Sequence, residues 1–250
     1  MIDHNKFITN PFVPSCEGFG AQYLFIISAM NQAEAHNKQF VYTPFQSMAH
    51  NYDNDPNFLN KKENLVNFID HFPINTDMEF QKECSGNGAF FNHQSESTKR
   101  IKKLFFANKD KKKHFSDQFT NIAIHIRNYT PNDYIEIQNQ PDNAFYCKLV
   151  DNFRLKSYPR PPRFHIYSLG NQDKFNMLVS EDVFLHINES IEDTFTSMAF
   201  SDILLIAPSC FSYCAGFLSE NTVWYLPDPG QIPLPHWKPI YYKVFRPLHK

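Results

Sequence analysis

The sequence predicts an α/β protein with a parallel, doubly wound β-sheet. Short apolar runs alternate with helix-like amphipathic segments through the second half of the chain, which is typical of this class. These runs are apolar at nearly every position, as expected for strands that are buried on both faces of a sheet. With 250 residues and a hydrophobic content of 42%, the chain is long enough for one large domain or two domains of about 120 residues each.

The first half of the chain begins with a glycine-containing turn that leads into a helix. Gly18 and Gly20 lie in this turn, where the missing side chain lets a substrate approach the backbone closely, although Gly-x-Gly is often a plain turn. The elements expected next are a helix over 22–37, a strand over 39–43 and a helix near 61–71. Three apolar residues of the last helix are expected to face inward: Leu65, Phe68 and Ile69.

The second half begins with the apolar strand 122–126, which delivers His125 and Arg127 to its carboxyl end. The other strands of this half are expected at 163–168, 183–187, 202–207 and 223–227. The helices are expected from residue 173, over 190–200 and after the small-residue turn 208–216. The proline-rich segment after residue 228 is expected to be extended and to pack back across the body.

A basic segment lies between the two halves. From Ser97 to His114, eight basic residues surround three apolar residues with helical spacing: Ile101, Leu104 and Phe105. The pattern predicts a solvated amphipathic helix before a linker. A contact for nucleic acid or another polyanion, formed by Lys99 to Lys113, is the functional alternative. We favour the solvated helix, because no aromatic stacking platform lies beside the basic residues and the net charge of the chain is −2.

Composition favours a soluble, cytoplasmic protein without a nucleic-acid partner or a membrane span. No apolar run approaches the roughly 20 residues that cross a bilayer, and the N-terminus lacks the form of a signal peptide. The five cysteines are odd in number and scattered, so a disulfide framework is not expected, and Cys210 and Cys214 are interpreted as small buried residues. Glycosylation sequons occur at Asn128 and Asn188, and a glycan on the first would block the neighbouring Arg127.

Two anion-binding elements are predicted at the carboxyl ends of strands, where open α/β sheets bind their ligands. Arg127 offers a planar, permanently charged guanidinium group that suits phosphate oxygens. Ser209 and Ser212 stand at a helix N-terminus, where hydroxyls and backbone N–H groups favour an anion, although simple N-capping by Ser209 is an alternative. We expect the two elements to share one diphosphate.

Three stretches, in matching order, resemble the fucosyltransferase-like, inverting glycosyltransferases of the GT-B type, which include α1,2-, α1,6- and protein O-fucosyltransferases. Gly18-Phe-Gly-Ala-Gln22 is similar to the glycine loop of this superfamily. His125-Ile-Arg127, with Asp133 and Tyr134 behind it, is similar to the His-x-Arg motif. Ser168 and Ser209-Cys-Phe-Ser212 resemble the last two donor-side motifs. A compact member of this kind would suit a microbe or a large DNA virus.

The resemblance implies a GT-B-like architecture of two Rossmann-like domains with a central cleft. The acceptor-side domain would cover residues 1–118, and the nucleotide-sugar-binding domain would cover residues 119–250. Arg127 would bind the donor β-phosphate and stabilise the leaving diphosphate. Ser168 and His186 begin loops that are expected to read the nucleobase. The full set of residues expected at the donor site is Gly18, Gly20, Gln22, His125, Arg127, Ser168, His186, Ser209, Cys210, Phe211 and Ser212.

A member of this superfamily would be a metal-independent transferase that needs no cofactor beyond its nucleotide-sugar donor. The donor would be GDP-fucose or a related compound such as UDP-xylose, and the acceptor would be a glycan or glycoprotein. The donor sugar stays open, because residues 128–133 intervene where α1,2-fucosyltransferases have a basic residue and a glycine. Inversion also needs a carboxylate that accepts the proton of the acceptor hydroxyl. Asp70 is the preferred base, and the alternatives are Asp53, Asp133, Asp55, Glu63 and Glu17.

Two other functions remain open at this point. Asp53-Asn-Asp55 matches the Asp-x-Asp sequence by which metal-dependent GT-A transferases hold manganese against a diphosphate. The non-enzymatic alternative is a nucleotide- or polyanion-binding module that uses Lys99 to Lys113.

Overall fold

The computed structural model describes residues 5–13, 15–86, 90–128, 141–227 and 231–241. The chain divides into two compact units, Met1–Asp110 and Lys111–Lys250, whereas the sequence placed the boundary between residues 118 and 119. Both units combine helices with parallel strands, which confirms an α/β class with parallel sheets. Within the described ranges, no helix combines the length and the hydropathy that crossing a bilayer requires. The predicted residue Asp133 lies outside these ranges.

The first unit packs helices against a short parallel sheet. Its elements are β1 (Phe7–Thr9), α1 (Phe19–Ala35), β2 (Gln39–Val41), α2 (Phe58–Val66), α3 (Met78–Cys84) and α4 (Glu96–Phe106). β1 and β2 pair in parallel from Phe7 opposite Gln39 to Thr9 opposite Val41. Neither β1 nor α3 was predicted from the sequence. In the part of this unit that the structure describes, the sheet has two strands, which is smaller than a Rossmann-like sheet.

Helix α1 lies at the centre of the first unit. Most of its residues are buried, and not only those on one face of the helix. It begins at Phe19, earlier than the predicted residue 22, since Gly18 with an extended backbone serves as its N-cap. Asn37 adopts a left-handed conformation (φ 51°) shortly after its end, as is common where helices stop. The predicted C-terminus near residue 37 is therefore close to the observed one at Ala35.

Helix α2 ends earlier than predicted. Asn67 adopts a left-handed conformation (φ 60°) and donates its backbone N–H to the carbonyl of Glu63, so the helix stops at Val66. The predicted end near His71 is wrong, and Asp70 lies in an exposed turn instead of at a helix end. Of the three residues expected to face inward, two are buried and the last is 44% exposed: Leu65, Phe68 and Ile69.

Helix α4 has the amphipathic form predicted for the basic segment. Two basic residues of the segment form hydrogen bonds inside the unit: Arg100 donates to the carbonyl of His71 at 2.6 Å, and Lys109 donates to the carbonyl of Leu65 at 2.9 Å. Burial lowers the pKa of Lys109 to about 8. The apolar residues of the segment are buried: Ile101, Leu104 and Phe105.

The second unit is organised around a parallel sheet in the strand order β5-β4-β3-β6-β7-β8. Its strands are β3 (Thr120–His125), β4 (Pro162–Ser168), β5 (Val183–Ile187), β6 (Ile203–Ile206), β7 (Thr222–Tyr225) and β8 (Lys238–Pro239). Its helices are α5 (Asn143–Arg154), α6 (Ile191–Phe200) and α7 (Cys210–Leu218), with 3₁₀ turns at Lys111–Lys113 and Gln172–Leu178. Counted from β3, the order is 3-2-1-4-5-6, which is that of a doubly wound sheet.

Strand β3 is buried at every position because it lies between two parallel neighbours. Ile122 pairs with Phe164 of β4 on one side and with Ile203 of β6 on the other. Side chains alternate between the faces of a strand. Ile122 and Ile124 accordingly pack in the core with α5, and His125 faces the side on which it meets α7.

Helix α5 was missed from the sequence, although its signals are present. Asp142 accepts a hydrogen bond from the backbone N–H of Phe145 at 2.8 Å, which is an N-cap. The buried residues that follow have helical spacing: Tyr146, Leu149, Val150 and Phe153. The helix predicted from residue 173 is instead a 3₁₀ helix over Gln172–Leu178.

Candidate functional site

The strand order of the second unit reverses between β3 and β6. From β3 the chain proceeds outward through β4 to β5, and it then returns to add β6 on the opposite side of β3. In doubly wound sheets the ligand crevice lies at this switch point, outside the carboxyl ends of the strands. Here His125 ends β3 and Arg127 follows it, while Ser209 begins α7 directly after β6.

His125 is a neutral, buried histidine at the switch point. It is 7% exposed, and its imidazole lies edge-on to the ring of Phe211, with 5.8 Å between the ring centroids. Burial, assisted by the charge of Arg127, lowers the pKa of His125 to about 3. Its Nδ1 atom is buried and has no hydrogen-bond partner among the described residues. The contact with Phe211 joins the end of β3 to the first turn of α7.

The backbone on both sides of Arg127 is fixed by side chains. The Ser168 hydroxyl donates to the carbonyl of Ile126 at 2.7 Å. The Asn128 amide donates to the carbonyl of Leu169 at 2.9 Å. Ser168 is buried, so its hydroxyl supports the segment that carries Arg127 from beneath. Arg127 is thus held on a short stretch of chain with defined geometry, as recognition of an anion by a guanidinium requires.

The N-terminus of α7 uses both of the predicted serine hydroxyls in its own structure. Ser209 is the N-cap, and its Oγ accepts from the backbone N–H of Phe211 at 3.3 Å. Ser212 is fully buried, and its hydroxyl donates to the carbonyl of Ala207 at 3.1 Å. A helix N-terminus still presents backbone N–H groups without intrahelical acceptors and the positive end of its dipole. Anion binding at this point would therefore rely on the backbone.

The side chain of Asn188 holds the loop that follows β4, and this role was not predicted from the sequence. Asn188 accepts from the backbone N–H of Gly170 at 2.7 Å and donates to the carbonyl of the same residue at 2.8 Å. Gly170 has a φ of 110°, and a Cβ placed there would lie 2.6 Å from the side-chain nitrogen of Asn128. The signal available in the sequence was the asparagine directly after β5, a position where asparagine tolerates the left-handed conformation that Asn188 adopts (φ 60°).

His186 lies at the edge of the sheet, away from the switch point between β3 and β6. It belongs to the edge strand β5, so β4 separates it from β3, a distance of roughly 10 Å at the usual strand spacing. Its Nε2 lies 3.0 Å from Nδ1 of His165, and its Nδ1 lies 2.7 Å from the carboxylate of Glu189. The ring also stacks on Tyr167 at 4.6 Å. A donor-binding role for His186 stays a prediction.

The two cysteines of α7 differ in exposure. Cys214 is buried, as predicted, and burial raises the pKa of its thiol well above the usual value. Cys210, at the first position of the helix, is partly exposed.

The predicted glycine-loop residues of the first unit have clear structural roles. A Cβ on Gly18 would lie 2.6 Å from the imidazole of His50, so this ring occupies the space a side chain would need. Gly20 is buried in the first turn of α1. Gln22 donates through Nε2 to the carbonyls of Ser47 at 2.7 Å and Glu17 at 3.2 Å, which connects α1 to the loop after β2.

The candidate bases of the first unit fall into two groups. Three are exposed carboxylates: Glu17, Asp53 and Asp70. Asp55 and Glu63 are engaged. Asp55 pairs with Lys61 at 2.6 Å, and this hydrogen bond lowers its pKa. Glu63 is buried, accepts from Tyr42 at 2.8 Å and from the backbone of Phe45 at 2.6 Å, and has its pKa raised by burial. Among the described residues, no group of three or more His, Cys, Asp or Glu could hold a metal ion.

Neither a protein-family profile nor a curated protein matches this sequence. Among solved structures, the fucosyltransferase NodZ from Bradyrhizobium is similar, with a TM-score of 0.51 and 15% identity over 86% of this chain and 93% of that one. NodZ α-1,6-fucosyltransferase co-crystallised with GDP is similar with a TM-score of 0.49 and 15% identity, over 90% of this chain and 96% of that one. A mutant of Arabidopsis thaliana FUT1 in complex with GDP is similar with a TM-score of 0.44 and 12% identity, over 92% of this chain and 73% of that one. The first likeness shows a shared fold, and it confirms the predicted resemblance to fucosyltransferases at the level of the fold, whereas the two-domain arrangement with a central cleft stays a prediction.

Proposed function

We propose that this chain is an inverting glycosyltransferase that moves a sugar from a nucleotide-diphosphate donor to a glycan acceptor without a metal ion. The observation that carries the proposal is the contact of the neutral His125 with Phe211 in the first turn of α7, at the switch point and two residues before Arg127. The fold shared with a fucosyltransferase supports the same reading. Donor binding belongs to the second unit in this proposal, and acceptor binding belongs to the first, in a two-domain, GT-B-like arrangement.

The chemistry of sugar transfer explains why these groups suit the reaction. As the glycosidic bond to the donor breaks, negative charge grows on the departing diphosphate and positive charge grows at the anomeric carbon. A fixed guanidinium and the N–H groups of a helix terminus act where the negative charge develops, and they need little rearrangement. Because the pKa of His125 is about 3, its ring stays neutral at physiological pH and can offer one hydrogen bond without adding charge.

The proposed reaction also needs a catalytic base in the protein. Inversion in one displacement requires a carboxylate that takes the proton of the acceptor hydroxyl. Asp70 and Asp53 are exposed carboxylates of the first unit, and we propose Asp70 with Asp53 as the alternative. Replacing the true base by asparagine should lower kcat by about 10²–10⁴-fold and leave the affinity for the donor unchanged. If neither Asp70→Asn nor Asp53→Asn lowers kcat, the base lies elsewhere.

We propose fucose or a related sugar such as xylose as the transferred group, and we propose that the protein acts in the cytoplasm. Asn128 supports the cytoplasmic location. Its side-chain nitrogen bonds the carbonyl of Leu169, and Gly170 packs so closely that a Cβ there would lie 2.6 Å from this nitrogen. A glycan on Asn128 would therefore break the loop beside Arg127, which disfavours maturation in a compartment where that sequon is modified.

Thermal shift with GDP, UDP, GDP-fucose and UDP-xylose tests the donor site directly. A ligand present at 100 times its Kd should stabilise the folded chain by about 2.7 kcal/mol, which raises Tm by several degrees. Arg127→Ala should remove this shift, and Arg100→Ala, in the first unit, should preserve it. If no nucleotide or nucleotide sugar raises the Tm of the wild type, the proposal is wrong.

Three further measurements separate the proposal from its alternatives. Transfer should survive EDTA, whereas complete loss would favour a metal-dependent site at Asp53 and Asp55. In the structure the Asp55 carboxylate is engaged with Lys61 and the backbone N–H of Asn57. The anomeric configuration of the product, read by NMR, should be inverted. Nucleotide binding that depends on Lys99 to Lys113 and ignores Arg127→Ala would instead support a non-catalytic module.

A further inference from the structure

The first unit contains a pocket at the carboxyl ends of β1 and β2. Its cavity volume is about 20 Å³, enough for small polar groups, and its empty space reaches about 320 Å³ only when the open solvent of its mouth is included. Its walls come from the segments that follow the two strands, 10–13 and 43–47, and from one side of α1 and α3. Ligands of parallel α/β sheets bind at the carboxyl ends of the strands, so the position is suitable for a binding site.

The walls of this pocket are uncharged. None of the described residues that line it is an Asp, Glu, Lys, Arg or His. Much of the surface is apolar, and Phe12 is 53% exposed, so its ring is available for contact with a ligand. A phosphate or carboxylate would find no counter-charge here, and an ammonium group would find no carboxylate. The pocket therefore suits a neutral ligand with an apolar face.

Two glutamine side chains give the pocket a defined hydrogen-bonding pattern. The Nε2 of Gln22 donates to the carbonyls of Ser47 and Glu17, and the Nε2 of Gln81 donates to the carbonyl of Asn10. Because carbonyl oxygens only accept, these contacts fix which end of each amide is nitrogen. Both residues are more than nine-tenths buried. Within the described chain, the Oε1 of each accepts no hydrogen bond, so the pocket offers acceptors to a ligand that donates.

The pocket is built on a rigid frame. Asn10 and Thr43 exchange two hydrogen bonds, from the Asn10 amide to the Thr43 carbonyl at 2.9 Å and from the Thr43 N–H back to the Asn10 side chain at 3.0 Å. The backbone N–H of Phe45 is held by the buried carboxylate of Glu63 at 2.6 Å. These contacts lock the two segments that follow β1 and β2. A locked frame lowers the entropy that ordering on binding would cost.

We infer that an uncharged saccharide ring binds over the mouth of this pocket, with hydroxyl groups of the ring reaching into it. Its hydroxyl groups donate to Oε1 of Gln22 and Gln81, and the apolar face of the ring lies against Phe12. Sugar hydroxyls are the common neutral donors that match two acceptors, and an aromatic ring is the partner that pyranose C–H faces use. Calling the saccharide the acceptor rests on the proposed function, whereas the binding of a neutral sugar does not.

Saturation-transfer NMR on the full chain tests the inference, with lactose, cellobiose and maltose as neutral probes and glucuronic acid and glucose 6-phosphate as charged ones. At least one neutral disaccharide should bind, and the charged sugars should bind more weakly. Phe12→Ala should weaken binding about tenfold, and Phe12→Trp should retain it. Phe25→Ala is the matched control, because Phe25 is 39% exposed and lies outside the pocket.

Three results would overturn the inference: no neutral disaccharide binds, Phe12→Ala binds as tightly as Phe25→Ala, or the charged sugars bind best. The nucleotide thermal shift measured on the same samples separates the two proposals. A nucleotide shift that depends on Arg127, without saccharide binding, would remove the pocket inference and leave the transferase. Saccharide binding lost in Phe12→Ala, without any nucleotide shift, would keep the pocket and remove the transferase.

Discussion

Acidification should destabilise the second unit through His125. Its pKa is about 3 in the folded chain because burial disfavours the charged ring, whereas an unfolded histidine titrates near the ordinary value of 6.5. Between these two values the unfolded chain binds a proton that the folded chain does not. The stability contributed by neutral His125 is therefore fully present above pH 6.5, and it is lost progressively as the pH falls toward 3.

The size of the effect follows from the two pKa values. At pH 5 the unfolded form gains about 2 kcal/mol from protonating one such histidine relative to pH 7. His165, 6% exposed and also with its pKa lowered to about 3 by burial, should add a similar amount. The second unit should thus lose about 4 kcal/mol between pH 7 and pH 5 from these two groups. This is a large part of the stability of a typical domain.

Urea unfolding followed by tryptophan fluorescence measures this loss, because both tryptophans, Trp224 and Trp237, lie in the second unit. His125→Gln should remove about half of the decrease between pH 7 and pH 5, whatever it does to stability at pH 7. His36→Gln is the control, since His36 is exposed in the first unit. If His125→Gln and the wild type lose the same free energy between pH 7 and pH 5, His125 is not a buried neutral histidine and the reasoning fails.

Three further substitutions test the supports described above. Gly170→Ala should lower the free energy of unfolding, measured with urea and tryptophan fluorescence, by about 1–3 kcal/mol, since it forces a side chain into φ 110° and against Asn128. An unchanged free energy of unfolding would refute this conformation. Ser209→Ala should lower the free energy of unfolding by about 1 kcal/mol in the same assay, because α7 loses its N-cap. An unchanged free energy of unfolding would contradict the N-cap. Tyr42→Phe should lower the free energy of unfolding, followed by circular dichroism, by about 1–3 kcal/mol, because one oxygen of the buried Glu63 carboxylate loses its hydrogen-bond donor. Equal stability of the variant and the wild type would mean that this hydrogen bond is not formed.

The sequence predicted those elements whose pattern is local. Strand β3 was identified because the run from Ile122 to Ile126 is apolar on both faces, and the burial of β3 between β4 and β6 is the reason for that pattern. The start of α7 was identified from serine and small residues after an apolar strand, and Ser209 is indeed its N-cap. These signals lie within a few residues of the feature they specify, so a single sequence contains them.

The features that were missed depend on longer-range contacts or on conformations a pattern does not encode. The end of α2 depends on Asn67 adopting a left-handed conformation, which many asparagines do not adopt. The roles of Ser168 and Asn188 depend on which carbonyl lies opposite after the strands have paired. Strand order itself is set by pairing between residues far apart in the chain. The sequence thus predicted a ligand contact for Ser168 but not the hydrogen bond from its hydroxyl to the carbonyl of Ile126, and the ligand contact stays a prediction.

A buried polar atom without a partner is informative only together with its position. The second unit contains two such imidazole nitrogens among its described residues, Nδ1 of His125 and Nε2 of His165, and each costs about 1–3 kcal/mol if it stays unpaired. His165 already bonds His186 and packs against Phe115 and Phe184, so its environment is that of a core residue. His125 instead stands at the switch point, in contact with the first turn of α7 and two residues before Arg127. An apolar residue would stabilise this position better, and in the proposed function a bound donor completes the hydrogen bond of His125.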